Sequence, residues 1–188
     1  MVTKSVFIMS AVLFAAPALA QQPPQAQPPK PQASAEPTST TASYVDWVLR
    51  CQKVGGAAVT RVCEVAQSLT VKGQNGPVAQ IAIGRTSAKE RLRLTVVIPV
   101  NVSFPSTLRL GLGDKPEQAV ALAWKRCLPV GCFADVEVTD DLLKRLRAPV
   151  EGPRLFFVDG AGRELPLPFS LSGLPQALDA LGKEPIGG

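Results

Sequence analysis

Apolar and polar residues alternate along most of the chain after residue 44, and a period of two is that of a half-buried β-strand. The first two segments with this pattern place these residues on one face: Val45, Trp47, Leu49 and Cys51, and then Cys63, Val65, Leu69 and Val71, with Gln67 as an interruption. Similar apolar runs follow at 79–83, 92–98, 108–112, 120–124, 133–138, 155–158 and 165–169. Glycine, asparagine and proline at 73–77 and 159–162 predict turns. The pattern predicts an all-β fold, an immunoglobulin-like antiparallel β-sandwich.

Two segments depart from the alternation and predict two short helices at the edges of the sandwich. Thr139 can cap a helix over 140–147, which has acidic residues in its first turn and basic residues in its last, and Pro149 ends it. The second helix begins near Ser172 and ends at Gly182. Its inward positions are Leu174, Ala177, Leu178 and Leu181.

The first 43 residues lack the strand pattern. Lys4, an apolar stretch and the sequence Ala18-Leu19-Ala20 predict a signal peptide over residues 1–20 that is cleaved after Ala20. Residues 21–43 are rich in proline and glutamine, then in serine and threonine, and predict a disordered tether. The domain is then expected over 44–188. No apolar run approaches the roughly 20 residues that span a bilayer, so we expect a periplasmic or secreted protein without a transmembrane span in the mature chain.

Four cysteines form two close pairs in sequence, Cys51 with Cys63 and Cys127 with Cys132. An even number in an exported protein predicts disulfides, and four cysteines allow three connectivities. Pairing of sequence neighbours is favoured, because each pair flanks a turn and closes a short loop. Zinc is disfavoured, because the 11 residues between Cys51 and Cys63 exceed the usual spacing of about two to four. Neither pair is a Cys-x-x-Cys redox motif.

An enzyme is not expected. The chain has no histidine, which removes Ser–His and Cys–His nucleophiles and the commonest catalytic metal ligand. Glu64, Asp135 and Glu137 could serve as acid and base, as in glycoside hydrolysis. However, Asp135 and Glu137 alternate along one strand and fit a solvated face. No glycine-rich phosphate loop follows a strand, and we expect no cofactor and no metal.

The net charge is +5, and the densest basic cluster consists of Arg85, Lys89, Arg91 and Arg93. Arg91 and Arg93 alternate with apolar residues, which is typical of the solvated face of a strand. Nucleic-acid binding is not expected, because the cluster has no interleaved aromatic residues for stacking. The cluster is instead a candidate contact face for an anionic partner, including the surface of a membrane.

Three cysteine-containing motifs occur in order: Trp47-x-x-x-Cys51, Cys63-Glu64-x-x-Gln67 and Cys127-x-x-x-Gly131-Cys132-x-Ala134, with Pro99 after an apolar strand between the last two. Toward the C-terminus the chain reads Leu167-Pro168-Phe169-Ser170-Leu171-x-Gly173-Leu174-x-x-Ala177. From Trp47 to about Leu181 the chain resembles the invasion-associated locus B family, although Leu174 stands where an aromatic residue is expected. The resemblance implies a secreted or periplasmic β-sandwich.

Two functional hypotheses follow. The first is a non-enzymatic interaction protein of the bacterial envelope or of a host surface, displayed on the proline-rich tether. The alternative is a periplasmic accessory module that binds a peptide, glycan or lipid fragment. Neither hypothesis identifies the partner.

Overall fold

The computed structural model of the protein describes residues 37–55, 59–87, 89–104, 106–113, 115–185 and 187. The predicted signal peptide and most of the predicted tether lie outside the described residues. Within those residues the strands are β1 (Ser39–Tyr44), β2 (Trp47–Val54), β3 (Thr60–Leu69), β4 (Ala79–Arg85), β5 (Arg93–Ile98), β6 (Leu108–Gly111), β7 (Val120–Leu128), β8 (Gly131–Glu137), β9 (Arg154–Val158) and β10 (Glu164–Pro168). The helices are α1 (Asp140–Arg147) and α2 (Leu174–Lys183), with a 3-10 turn at Pro116–Gln118. An all-β fold with two short helices is therefore confirmed.

All strand pairs are antiparallel, and the strands follow the order β1-β2-β3-β4-β5-β8-β7-β6-β9-β10. The first five strands form a meander, and β5 to β8 form a Greek key. Strand β7 takes part in both halves of the sheet. Residues 120–122 pair with β6, and residues 123–128 pair with β8, with a register shift between Trp124 and Arg126. An immunoglobulin domain divides its strands between two separate sheets, whereas here one strand passes from one half to the other.

One cluster of buried side chains lies between the two halves of the sheet. It contains residues of the first half, of the second half and of both helices: Trp47, Val65, Ile81, Leu94, Leu108, Leu110, Leu155, Leu146, Leu174 and Leu178. Full burial of a leucine, isoleucine or valine side chain contributes about 1.5–3 kcal/mol. The strand residues of this cluster occupy the alternate positions that the sequence pattern predicts, and Leu174 and Leu178 occupy predicted inward positions of the second helix, so the sequence does identify the core.

The first strand begins within the segment that the sequence assigns to the tether. Residues 39–43 form most of β1, in which Ser39 lies opposite Gln52 and Tyr44 lies opposite Trp47. The tether boundary at residue 43 is therefore wrong. A two-residue turn joins β1 to β2, and it places Val45, which the pattern predicts to be buried, at 80% exposure with a φ of 54°. The strand has no apolar signal because pairing with β2, rather than burial, holds it.

The two helices cover one end of the core. The Thr139 hydroxyl accepts a hydrogen bond from the backbone N–H of Leu142 at 3.2 Å, as predicted for the cap of α1. Gly173 precedes α2 with a φ of 84°, and a Cβ at this position would collide with the carbonyl oxygen of Tyr44. Glycine thus lets α2 pack closely against the β1–β2 turn. Neither helix, nor any other in the described part of the chain, is long and apolar enough to cross a bilayer.

Both cysteine pairs connect neighbouring strands. Cys51 lies directly opposite Cys63 on β2 and β3, and Cys127 lies opposite Cys132 on β7 and β8. Each pair forms a disulfide, with Cα atoms 4.0 Å and 3.9 Å apart. The structure therefore has the connectivity that loop closure favours.

Gln67 interrupts the apolar face of β3 because it bonds the segment that precedes α2. Its side chain is 6% exposed. Its Nε2 donates to the carbonyl oxygens of Asp46 and Ser170 at 3.3 Å each, and its Oε1 accepts from the N–H of Ser170 at 3.0 Å. The indole N–H of Trp47 donates to the same Ser170 carbonyl at 2.9 Å. We call this group, Trp47, Gln67 and the backbone of Ser170, the Ser170 anchor.

Replacing Gln67 by leucine is expected to destabilise the domain by about 1–3 kcal/mol, because the backbone groups of Ser170 and Asp46 that its buried amide bonds lose their partner. Urea unfolding followed by tryptophan fluorescence measures the loss. Gln80→Leu is the matched control, since Gln80 is only partly buried and accepts from Arg50 at the sheet surface. Equal stability of the two variants would show that the anchor is not structural.

Replacing Cys51 and Cys63 together by alanine is expected to cost roughly 2–5 kcal/mol, the usual range for a native disulfide of a small exported domain. The disulfide between Cys127 and Cys132 closes a shorter loop. The double variant Cys127→Ala with Cys132→Ala is therefore expected to lose less stability. Denaturant unfolding of both variants tests the order. Detection of a Cys51–Cys127 peptide by non-reducing mass mapping would refute the pairing.

Candidate binding surface

The predicted basic cluster lies where the chain enters β5. Arg85 ends β4, Lys89 and Arg91 lie in the connecting turn, and Arg93 begins β5. Arg91 Nη1 lies 3.1 Å from Glu137 Oε1, and Arg93 forms an ion pair with Asp135. These pairs arise because β5 lies beside β8 in the sheet, with Arg93 opposite Glu137.

The structure therefore balances half of the positive charge that the sequence places in the cluster. For Arg85 and Lys89 no carboxylate partner is found within the described residues. A protein surface with paired charges attracts an anion less strongly than the same cations alone.

The three carboxylates that could have served as acid and base belong to the same outer surface. Glu64 Oε1 accepts from Arg50 Nε at 2.6 Å, Asp135 contacts Arg93, with Lys125 Nζ at 3.9 Å, and Glu137 contacts Arg91. All three are partly exposed, and such pairs contribute about 0.2–1 kcal/mol each. The arrangement is that of a solvated sheet face, which favours the structural interpretation of these residues.

An apolar groove lies at the other end of β5, where the chain leaves the strand. Its first part has a volume of about 310 Å³ and is lined by Pro77, Val78, Val97, Ile98, Pro99, Val130 and Phe133, among others. Its second part has a volume of about 410 Å³, and its lining includes Val71, Phe157, Leu165, Pro166 and Leu167. Val78, Ile98 and Pro99 line both parts, so the two parts form one surface, which we call the apolar groove.

Exposed valines form part of the rim of the apolar groove. Val130, which lines the first part, is 76% exposed in the β7–β8 turn, and Val71, which lines the second part, is 40% exposed after β3. Gly131, with a φ of 143°, permits this arrangement, because a Cβ there would press against the backbone of Ile98. Clusters of exposed apolar side chains on a folded domain commonly mark sites of interaction.

Sequence reasoning missed the apolar groove because its lining comes from segments that are distant in sequence. Two of the motif residues quoted above carried a signal. Pro99 lines both parts of the groove, and Gly131 sets the position of the turn that bears Val130. Neither residue type by itself indicates a binding surface.

Cys51, Cys63 and Glu184 lie close enough together to resemble a metal-ligand group. The two sulfur atoms are joined in a disulfide, so neither can act as a thiolate ligand. Glu184 also accepts from Arg61 Nη2 at 2.9 Å. This cluster therefore has a structural explanation.

Asp159 lies at the polar end of the apolar groove and is 3% exposed. Its Oδ1 accepts from the backbone N–H groups of Arg163 and Ala161, and its Oδ2 accepts from the Arg163 guanidinium at 2.7 Å and 2.9 Å. The hydrogen bonds from the Arg163 backbone, and then from its side chain, hold the pKa of Asp159 below its usual value. Asp159 thus closes the β9–β10 hairpin, as its place in the predicted turn suggests.

A lowered pKa in the folded state means that ionised Asp159 stabilises the domain above the ordinary carboxyl pKa of about 3.9. This contribution is lost as the pH falls through the lower pKa of the folded state. Asp159→Asn is therefore expected to be less stable at pH 6 and to lose less stability than the wild type between pH 6 and pH 2. Urea unfolding at both values tests this, with exposed Asp179→Asn as the control. If Asp159→Asn loses as much stability as the wild type between pH 6 and pH 2, the assignment is contradicted.

Comparisons with known proteins agree with this architecture. The model of the invasion associated locus B (IalB) protein family matches residues 47–182. A crystal structure of invasion associated protein B from Bartonella henselae is similar, with a TM-score of 0.60 and 23% sequence identity over 76% of this chain and 94% of that one. A comparison with curated proteins found no match. The family match covers most of the chain, from the Trp47 of the Ser170 anchor to the last turn of α2, and the chain belongs to the invasion associated locus B family.

Proposed function

We propose that the protein is an exported, non-catalytic binding module that attaches to a component of the bacterial envelope or of a host surface. The observation that carries this proposal is the apolar groove with its exposed valine rim. The exposed side chains of Val71 and Val130, in two separate turns, cost solvation free energy that a partner would recover on binding. The family name, taken from invasion, is consistent with a role in surface interaction.

Support for a location outside the cytoplasm comes from the two disulfides, because the cytosol keeps thiols reduced. The proposed signal peptide of residues 1–20, cut after Ala20, would deliver the chain to the periplasm or the exterior. Residues 21–38 would then separate the domain from the cleaved end.

Support for a non-catalytic role comes from the chemistry of the outer surface. The chain has no histidine, and the carboxylates Glu64, Asp135 and Glu137 each contact an arginine. The apolar groove itself is lined mainly by aliphatic side chains and proline. Such a lining binds by excluding water, and its carboxylate, Asp159, is occupied by hydrogen bonds from Arg163.

The lining also favours one form of the alternative function. A glycan site generally offers aromatic faces and several polar groups, whereas the apolar groove suits an acyl chain or the apolar side chains of an extended peptide. The cluster of Arg85, Lys89, Arg91 and Arg93 remains a candidate for a second, anionic contact. The salt dependence of binding distinguishes the apolar groove from the basic cluster, because screening weakens ionic contacts while burial of apolar surface persists.

The test uses the mature protein as bait on intact envelope and, as a defined probe, an apolar naphthalene dye that fluoresces in apolar sites. Val71→Glu with Val130→Glu is expected to reduce envelope capture and dye binding about tenfold, since charge replaces apolar contact worth about 1.4 kcal/mol. Val54→Glu with Val59→Glu is the matched control, because these valines are 43% and 52% exposed at the far end of the β2–β3 hairpin.

If the variant with glutamates on the groove rim retains full envelope capture, the groove is not the binding surface. Capture that disappears at high salt would assign binding to the basic cluster instead. Turnover of any envelope substrate by the purified protein would overturn the non-catalytic part of the proposal.

A further inference from the structure

The two edges of the sheet differ in how their outward-facing backbone is protected. Strand β1 is one edge, and strand β10 is the other. An edge strand presents unpaired N–H and C=O groups that can pair with another chain, and proteins commonly block such groups with proline or charge. The register of each strand shows which residues face outward.

The β10 edge is blocked. The backbone N–H of Asp159 donates to the carbonyl of Arg163, and the backbone N–H of Phe169 donates to the carbonyl of Pro153. Residues 163, 165, 167 and 169 therefore direct their backbone groups toward β9. The outward positions are therefore those of Glu164, Pro166 and Pro168. Two of these three residues have no N–H, so this edge cannot continue the ladder.

The β1 edge is open. The backbone N–H of Lys53 donates to the carbonyl of Thr38, so the even-numbered residues of β1 direct their backbone groups toward β2. Ser39, Thr41 and Ser43 face outward, and all three are exposed. None is proline or charged, and among the described residues no other element bonds their backbone groups. Pro37, at the next outward position, and the turn at Val45 limit the free edge to these residues.

We propose that a second copy of this chain pairs with the free edge of β1, so that two sheets join in an antiparallel, twofold-symmetric dimer. The edge is self-complementary. With the axis at Thr41, Thr41 lies opposite its symmetry mate and Ser39 lies opposite Ser43, and each such pair exchanges two hydrogen bonds.

The composition of β1 favours a second copy over a different partner. Threonine and serine pairs across strands are favourable, whereas like charges directly opposite would be unfavourable. An uncharged edge that meets itself brings no like charges together, although the whole chain carries a net charge of +5. The side chains of residues 39–43 are exposed on both faces of the strand, so its alternate faces leave room for a neighbouring strand.

Sedimentation of the mature protein over a range of concentrations tests the dimer. Thr41→Pro removes an outward N–H that β2 does not use, and it is expected to raise the dimer dissociation constant about tenfold while the melting temperature stays nearly unchanged. Thr41→Lys and Thr41→Glu each place like charges opposite each other and are expected to be monomeric. A mixture of the two charged variants is expected to form a heterodimer, because opposite charges then meet at the axis.

The charge-swap mixture distinguishes self-pairing from loss of folding, since both variants must be folded to associate. A wild type that stays monomeric at high concentration would overturn the proposal, as would a mixture that does not associate. Association that Thr41→Pro leaves unchanged would place the dimer contact elsewhere. If the wild type is monomeric and Thr41→Pro abolishes envelope capture, a foreign strand occupies the edge and self-pairing is wrong.

Discussion

The Ser170 anchor is the interaction on which the arrangement of the two ends of the chain depends. Gln67 and Trp47, both from the first hairpins, bond the backbone of Ser170, more than one hundred positions away in sequence. Ser170 precedes Gly173, whose missing Cβ lets the start of α2 lie against the β1–β2 turn. A buried amide in an apolar core is costly unless its groups are paired, so these hydrogen bonds specify one position for α2 over the core.

Strand β7 imposes the second constraint, because it pairs with β8 along one part and with β6 along the other. The change of partner bends the sheet around a single core and leaves its two ends chemically different. At the start of β5, cations lie beside carboxylates of β8, whereas at its end Ile98 and Pro99 open into the apolar groove. The unusual surface of the domain is thus the apolar end and not the charged one.

The proposed functions use surfaces that do not compete. The apolar groove lies among turns at the end of β3, β5 and β7, and the open edge lies along β1. A dimer through β1 would leave the groove of each copy free, because no residue of β1 lines the groove.

Much of the fold could be predicted from the sequence because it depends on local rules. Alternation placed Trp47, Ile81 and Leu94 in the core, Thr139 and Pro149 bounded α1, and loop closure favoured the disulfides of Cys51 with Cys63 and Cys127 with Cys132. Each of these signals lies within a few residues of the feature that it predicts.

Other features were decided only by the tertiary structure, because they depend on which strands become neighbours. Strand β1 has no apolar period, since its order comes from hydrogen bonds to β2. Arg91 and Arg93 of the basic cluster form ion pairs with carboxylates of β8, because β8 lies beside β5 in the sheet. No local sequence pattern specifies the Greek-key connection that makes these strands neighbours. The apolar groove joins Val71, Pro99 and Val130 from separate turns. Sequence alone determined the residues that can be buried, whereas long-range pairing determined which exposed residues share a surface.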